Sequence, residues 1–360
     1  MRIFYLTMKS YPSSTADYLY VRKLCQALSK KIDTTLVVNT ASPDLAGLQV
    51  CEVAPMLPNR TLSFIWWFLR YVRNDSAHCS DCTFMTNDFN IALVIIIMRR
   101  LFRAHYRIAT DWHLMTDSFK DAFAMRGSDV IFATSQTLRA AMVKKVPDAA
   151  YKTNVVYGGV DYSAFDAIKN MDVPALKKSL GLPQQRTLYG YTGYFTVLDM
   201  EKGIDLMIEA LKYLPNSYSM VCVGAKRGEK ALYEERARVL GLSERCIFVD
   251  AQKHEKIPEY LHALDILVIP YPNLPHFRQY GFPMKVWEYL AAGKPIVYAD
   301  LPVIAEVLKD KGIAFIPGDA RSFAFAIERA STARSNIDYS SDYSWSARAE
   351  NILSILTKQS

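Results

Sequence analysis

The feature that most constrains this chain is an alternation carried along nearly its whole length. A short run of β-branched and aromatic residues is followed by a helical pattern and then by another short run. Apolar runs of this kind, joined by crossover helices, specify parallel sheets covered on both faces. In the first half the expected strands are 3–7, 35–39, 48–53, 82–86, 106–110, 130–133 and 154–157, with helices expected over 17–31, 62–73, 90–102, 119–126 and 136–145. A Gly-Gly-Val-Asp turn, Gly158 to Asp161, and a polar stretch interrupt the pattern. A second series then begins, with strands expected over 188–192, 219–223, 246–249, 266–269, 295–298 and 314–316. Its helices are expected over 203–213, 229–240, 256–263, 285–292, 303–309 and 320–330, and a last helix over 346–358. The reading is an α/β chain of two Rossmann-like, doubly wound domains, 1–165 and 166–344, with 345–360 as a helix crossing back to the first. A chain of 360 residues suits two domains. Ligands of such sheets bind beyond the carboxyl ends of the strands, so a central cleft that both domains face is the expected site.

Composition enters where it excludes alternatives. Half of the residues are apolar (51%) and 22% are charged, which is incompatible with a disordered chain. The net charge of +7 raises the possibility of nucleic acid, but it is unevenly held. Residues 1–165 carry 19 Lys/Arg against 13 Asp/Glu, whereas 166–360 carry 24 against 23. No nucleic-acid motif accompanies the basic half, so no nucleic-acid partner is expected. The apolar start breaks at Lys9, and the longest apolar run, Ile91–Met98, is too short for a bilayer that needs about 20 residues. His78-Cys79 and Cys82 contain one C-x2-C without a second pair, so no metal site is expected. The chain reads as cytoplasmic.

The most informative stretch runs from Tyr280 to Val297. A Gly- and Pro-containing loop feeds a short helix that stops at Gly293. Amides at the start of such a helix suit a pyrophosphate, and Lys285 adds a cation. Glu288, three residues beyond Lys285, shares its helical face and suits a pair of ribose hydroxyls. Gly281-Phe282, Pro283, Lys285, Glu288-Tyr289 and Gly293-Lys294-Pro295 resemble the nucleotide-sugar loop of the GT-B glycosyltransferases, in particular the retaining group called family four. That family has a Glu where this chain has Tyr280. The resemblance implies a GT-B architecture and assigns Glu288, Lys285, Gly281, Phe282 and Met284 to the donor.

Other segments carry the resemblance further. Gly190-Tyr191-Thr192-Gly193 and Lys202-Gly203 match the family's turn and Lys-Gly helix start, with Tyr194 in place of an Arg that grips the diphosphate. Lys202 and Gly193 are therefore implied donor residues; a solvated lysine at a helix start is the alternative for Lys202. Gln252 and Lys253 fall in a segment similar to the base-binding loop, and Tyr271 follows the strand that leads into the phosphate loop. Asp265 is expected to be structural, Trp345 to be a packed aromatic and Ser135 to cap a helix.

In the first half, the expected strand 106–110 delivers Asp111-Trp112-His113 to its carboxyl end. A His here contacts the donor sugar in retaining members of the family. Arg107-Ile108-Ala109-Thr110-Asp111 also looks similar to the Arg- and Asp-containing segment of xanthan-type glucuronosyltransferases, where the Asp is the general base. Asp111 is thus the first catalytic candidate and His113 the second, against plain capping or packing roles. The loop Ser13-Ser14-Thr15 suits a sugar or phosphate as well as it suits a helix cap.

The segment 61–73 combines Trp, Phe and Arg, and between Arg60 and Arg107 there are seven Arg against three Asp. Aromatic rings and guanidinium groups on one helix suit an anionic membrane surface; burial on the first sheet is the rival. The reading is a metal-independent hexosyl- or glycuronosyl-transferring enzyme that needs no cofactor. It would move a sugar from a UDP- or GDP-sugar to a glycan or lipid-linked acceptor. A nucleotide-sugar 2-epimerase and a non-catalytic sugar-binding partner subunit are the alternatives.

Overall fold

The structure is a computed structural model that describes residues 1–13, 16–56, 59–74, 81–116, 118–333 and 343–358. The expectations for Ser14, Thr15, His78 and Cys79 lie outside these residues, as does the side chain of Arg73. Two compact units emerge, Met1–Gly159 with Asp342–Ser360, and Val160–Ser341.

The first unit is built on a seven-stranded sheet in the order β3-β2-β1-β4-β5-β6-β7. Its strands are β1 (Arg2–Leu6), β2 (Thr34–Val38), β3 (Gln49–Glu52), β4 (Cys82–Thr86), β5 (Arg107–Trp112), β6 (Val130–Ala133) and β7 (Thr153–Val155), all parallel. Helices α1 (Ala16–Ser29), α2 (Arg60–Asn74), α3 (Phe89–Phe102), α4 (Phe119–Gly127) and α5 (Gln136–Lys145) make the crossovers. The central strands are buried on both faces, which is why they read as continuous apolar runs: Ile3, Tyr5, Leu6, Phe84 and Met85 have no exposed surface. Phe64 and Phe68 of α2 are buried against this sheet, and Phe68 meets Phe84 edge-on at 5.0 Å. Strand β5 runs further than expected, because Asp111 and Trp112 pair in register with Phe132 and Ala133 of β6.

The second unit holds a six-stranded parallel sheet in the order β12-β11-β8-β13-β14-β15 and a two-stranded hairpin of β9 and β10. The strands are β8 (Thr187–Thr192), β9 (Thr196–Val197), β10 (Met200–Glu201), β11 (Tyr218–Ala225), β12 (Cys246–Asp250), β13 (Ile266–Ile269), β14 (Ile296–Ala299) and β15 (Ile313–Phe315). Helices α6 (Tyr162–Asp166) and α7 (Val173–Ser179) precede the sheet, and neither was expected. Next come α8 (Ile204–Ala210), α9 (Glu229–Val239), α10 (Ile257–Ala263), α11 (Lys285–Ala292), α12 (Pro302–Leu308) and α13 (Ala320–Thr332). The hairpin was not expected either. Its two-residue turn holds Leu198 and Asp199 at φ +47° and +60°, the left-handed geometry such a turn requires, without the glycine that normally announces it. Gly203 starts α8 at φ +91°, and a Cβ there would lie 1.8 Å from the Pro270 carbonyl oxygen.

The last helix, α14 (Trp345–Lys358), belongs to the first unit and packs on α1. Trp345, Ala349, Ile352 and Leu356 recur at helical spacing on its buried face.

Candidate active site

In the second unit the carboxyl ends of β8, β11 and β13 release the chain beside the start of α11. Lys285 is the first residue of α11 and is only 9% exposed. Its ammonium donates to the Tyr191 hydroxyl at 2.9 Å and to the Tyr271 hydroxyl at 3.2 Å, and it lies 4.1 Å from the Tyr191 ring centroid. Burial and the neighbouring Lys202 push its pKa well below the usual lysine value, against a smaller opposing pull from Glu288. Gly193, at φ +121°, leaves the approach to this ammonium open, since a Cβ there would sit 3.0 Å from Lys285 Nζ.

Lys202 is no solvated lysine. Burial, helped by Lys226, lowers its pKa to about 8, while Glu229 opposes the shift. Lys226 follows β11, lies 5.1 Å from the ring centroid of Tyr194 and donates to Thr196 Oγ1 at 3.2 Å. Sequence reasoning did not single it out. Its signal is a Lys-Arg-Gly turn directly after a buried strand, and the Tyr194 ring explains how a cation is held beside the position that lacks an Arg. Lys226 thus depresses Lys202, and Lys202 in turn depresses Lys285. Like charges gathered in this way, only partly offset by Glu229 and Glu288, suit an anion.

Other donor expectations resolve unevenly. Glu288 Oε1 lies 3.8 Å from His254 Nδ1 and is partly exposed, so it is accessible to a ligand hydroxyl. Fewer amides are open at α11 than expected, because Val286 N and Trp287 N close back on the Pro283 and Met284 carbonyls; Met284 is the helix cap. Glu201 accepts from the amides of Gly203 (2.8 Å) and Ile204, so the start of α8 is already occupied by a carboxylate. Gly281 packs against His276, whose pKa is lowered by burial and by Lys202. Phe282 stacks on Trp287 at 5.1 Å. Gln252 is exposed and donates to the Asp250 carbonyl at 3.1 Å, and the Lys253 side chain is exposed. Asp265 is structural: it accepts from Lys177 Nζ and Leu188 N, both at 2.8 Å.

In the first unit the geometry corrects the role expected of Asp111. Instead of sitting at a cleft edge it is 1% exposed inside β5, because strand pairing with β6 continues past it. It accepts from Tyr20 Oη at 2.6 Å and from Arg348 Nη2 at 3.0 Å. Burial pushes its pKa up, but Arg348, His113 and Tyr20 more than reverse this and hold it at about 2. Such a carboxylate is a poor proton acceptor at neutral pH. Arg348 comes from α14, is 1% exposed and also donates to the Val156 and Tyr157 carbonyls. Sequence reasoning missed both of these partners. The available signal was an Arg on the packed stripe of α14, three residues from Trp345. His113 is partly exposed, meets the Tyr20 ring edge-on at 4.1 Å, and has Nε2 3.7 Å from Asp111 Oδ2. Ser135 caps α5 by accepting from Leu138 N at 3.0 Å, and Trp345 packs against Gly159 and Tyr20. Among the described residues no group of three or more His, Cys, Asp or Glu is placed to hold a metal ion, and no helix is long and apolar enough to cross a membrane.

Two units built on seven- and six-stranded parallel sheets match the GT-B class of fold. HepE of Anabaena, solved with UDP, superposes at TM-score 0.75 with 17% identity, over 99% of this chain and 100% of HepE. Sucrose-phosphate synthase of Thermosynechococcus elongatus gives the same TM-score and identity, over 99% of this chain and 98% of that one. Residues 173–349, about half of the chain, match the model of the family described as Glycosyl transferases group 1. TuaH of Bacillus subtilis, named as a teichuronic acid biosynthesis glycosyltransferase, is 27% identical over 195 residues, which are 53% of this chain and 45% of TuaH. A D-inositol 3-phosphate glycosyltransferase of Xylanimonas cellulosilytica is 25% identical over 189 residues, 51% of this chain and 43% of the relative. The chain therefore spans about half the length of the curated relatives it matches.

Proposed function

We propose that the protein is a glycosyltransferase that moves a sugar from a nucleoside diphosphate donor to a hydroxyl of a glycan or lipid-linked acceptor. The observation that carries this reading is the Lys285 ammonium, buried against two tyrosine hydroxyls and backed by Lys202 and Lys226. A diphosphate leaving group gains charge as its bond to the sugar breaks, and cations already held in a dry site stabilise that charge most. In this reading Lys285, Lys202 and Lys226 hold the diphosphate and Glu288 accepts from the ribose hydroxyls. Gly193, Gly281 and the Met284–Lys285 turn give close backbone approach, with Tyr271 orienting the ammonium. UDP in the HepE structure and the names of the sequence relatives support the assignment. His113 is the first-unit group that contacts the reacting sugar, and Asp111 is a positioning residue that sets the imidazole.

A screen of UDP, GDP and their sugars by thermal shift tests this. At least one is expected to stabilise the protein, and Lys285→Met to abolish the shift while leaving the chain folded. No stabilisation by any of them overturns the reading. Asp111→Asn is expected to lower kcat for sugar transfer with little change in donor KM, the signature of a group that orients rather than binds.

The basic excess of the first unit supports a peripheral membrane site. Leu62 and Trp66 of α2 and Ile97 and Leu101 of α3 are exposed, and the Arg70 guanidinium lies 5.5 Å from the Trp66 ring. Vesicles of phosphatidylglycerol are expected to bind the protein and to lose it on Trp66→Ala with Arg70→Gln and Arg100→Gln. Equal binding by the triple variant removes this site.

A further inference from the structure

The carboxyl ends of β1, β4 and β5 border a cavity of about 500 Å³ in the first unit, within the range of small-ligand sites. Its chemistry differs from that of the cation cluster in the second unit. Lys9 and Lys120 are its cations, Asp17 and Asp88 its carboxylates. Lys9 is paired with Asp17, and burial lowers the Lys9 pKa to about 8. Asp88 caps α3, accepting from Asn90 N at 2.8 Å. A phosphate entering here would face both carboxylates, with one of the two cations already neutralised, and would gain little.

The remaining groups suit hydroxyls. Asn87 Nδ2 donates to Asp17 Oδ1 at 2.7 Å, while Asn87 Oδ1 is buried with no hydrogen-bond partner among the described residues. A buried acceptor in that state calls for an O–H or N–H donor. Asn90 is exposed and adds a second amide, and Lys120 reaches its Oδ1 at 3.4 Å. Phe89 supplies an apolar wall and packs against Trp112, the residue before His113, with centroids 4.6 Å apart and the rings tilted by 49°. An aromatic side chain together with donors and acceptors in one cavity suits a sugar ring, which has one apolar C–H face and a rim of hydroxyls.

We infer that this cavity is the acceptor subsite and that it takes an uncharged sugar unit, not a phosphorylated one. The inference rests on the transferase reading, and it places the chain's acceptor apart from the inositol 3-phosphate named for several of its relatives.

Ligand-observed NMR on the full chain tests it. The probes are the methyl glycosides of glucose, galactose, mannose and N-acetylglucosamine, against glucose 1-phosphate and inositol 1-phosphate. At least one glycoside is expected to bind, with both phosphates about tenfold weaker or more. Asn87→Leu is expected to weaken the bound glycoside about tenfold, and so is Asn90→Ala, a change at an exposed position, with UDP affinity unchanged in both. Tighter binding of either phosphate, binding of no glycoside, or glycoside affinity unmoved in both variants overturns the inference. Nucleotide binding without glycoside binding sinks this subsite alone. Glycoside binding without nucleotide binding sinks the transferase reading instead.

Discussion

At the scale of single residues, the pair Asp111–Arg348 shows how little of a buried electrostatic unit a sequence declares. Both groups are 1% exposed, and neither can be hydrated if the other is removed. Arg348→Met is therefore expected to cost about 3–5 kcal/mol in urea denaturation, because it leaves the carboxylate buried and unpaired. The double variant Asp111→Asn, Arg348→Met is expected to recover most of that loss, and strictly additive losses would contradict the pairing. Acid acts on the same pair. The Asp111 pKa of about 2 lies below the ordinary 3.8, so its contribution is complete above about pH 4 and lost as pH falls through 2. The carboxylate's place near a strand end was legible in the sequence, as was its closeness to His113. The ion pair was not, because 237 residues separate its members and no local pattern links an Arg in α14 to a strand in the middle of the first sheet. Lys285 and Glu288 were legible for the opposite reason: their spacing, the Gly stop and the preceding loop all lie within one short stretch.

At the scale of elements, strands buried on both faces announced themselves by composition, and all the expected strands and crossover helices are present within a few residues at their ends. What escaped were elements whose cause is not periodicity. The β9–β10 hairpin has a non-glycine turn, and the helical turn His276–Tyr280 is set by the loop it belongs to. The start of α8 shows how tightly such elements are tied to the site. Glu201 at the end of the hairpin caps the helix, and Gly203 crosses the Pro270 carbonyl with no room for a methyl group. Gly203→Ala combines this clash with a left-handed backbone, and is expected to destabilise the chain by more than the ~1 kcal/mol of an ordinary turn glycine. Because Pro270 leads into Tyr271, the same change is expected to weaken nucleotide binding. A thermal melt and a UDP titration measure the two effects, and a stable variant with unaltered affinity would contradict the geometry. The helix α2 admits two readings, a membrane face and a buried face; Phe64 and Phe68 are buried, while Leu62 and Trp66 are exposed.

At the scale of the whole molecule, charge is apportioned by use. Of the net charge of +7, +6 arises in the half that carries the exposed arginines of α2 and α3, while the near-neutral half concentrates a few lysines in one place. The concentration has a consequence in pH. Lys202, with its pKa lowered to about 8, is deprotonated in the folded chain between about 8 and 10.5, where the unfolded chain keeps it charged. The unfolded state then binds the extra proton, so this group makes stability rise with pH across that window. Buried tyrosines and cysteines such as Tyr191 and Cys222, whose pKa values burial raises, act in the reverse direction above about pH 9. The total curve therefore hides the lysine, but a comparison with Lys202→Met isolates it. The stability gained by that substitution is expected to be largest near pH 7 and to shrink toward pH 10. Nucleotide affinity must run the other way, since a diphosphate binds the ammonium and not the amine. UDP affinity of the unsubstituted chain is expected to fall as pH rises through 8, with a slope that flattens in Lys202→Met. Titrations at four or five pH values decide it: parallel slopes in the two proteins would remove Lys202 from the diphosphate site, whatever the melting curves show.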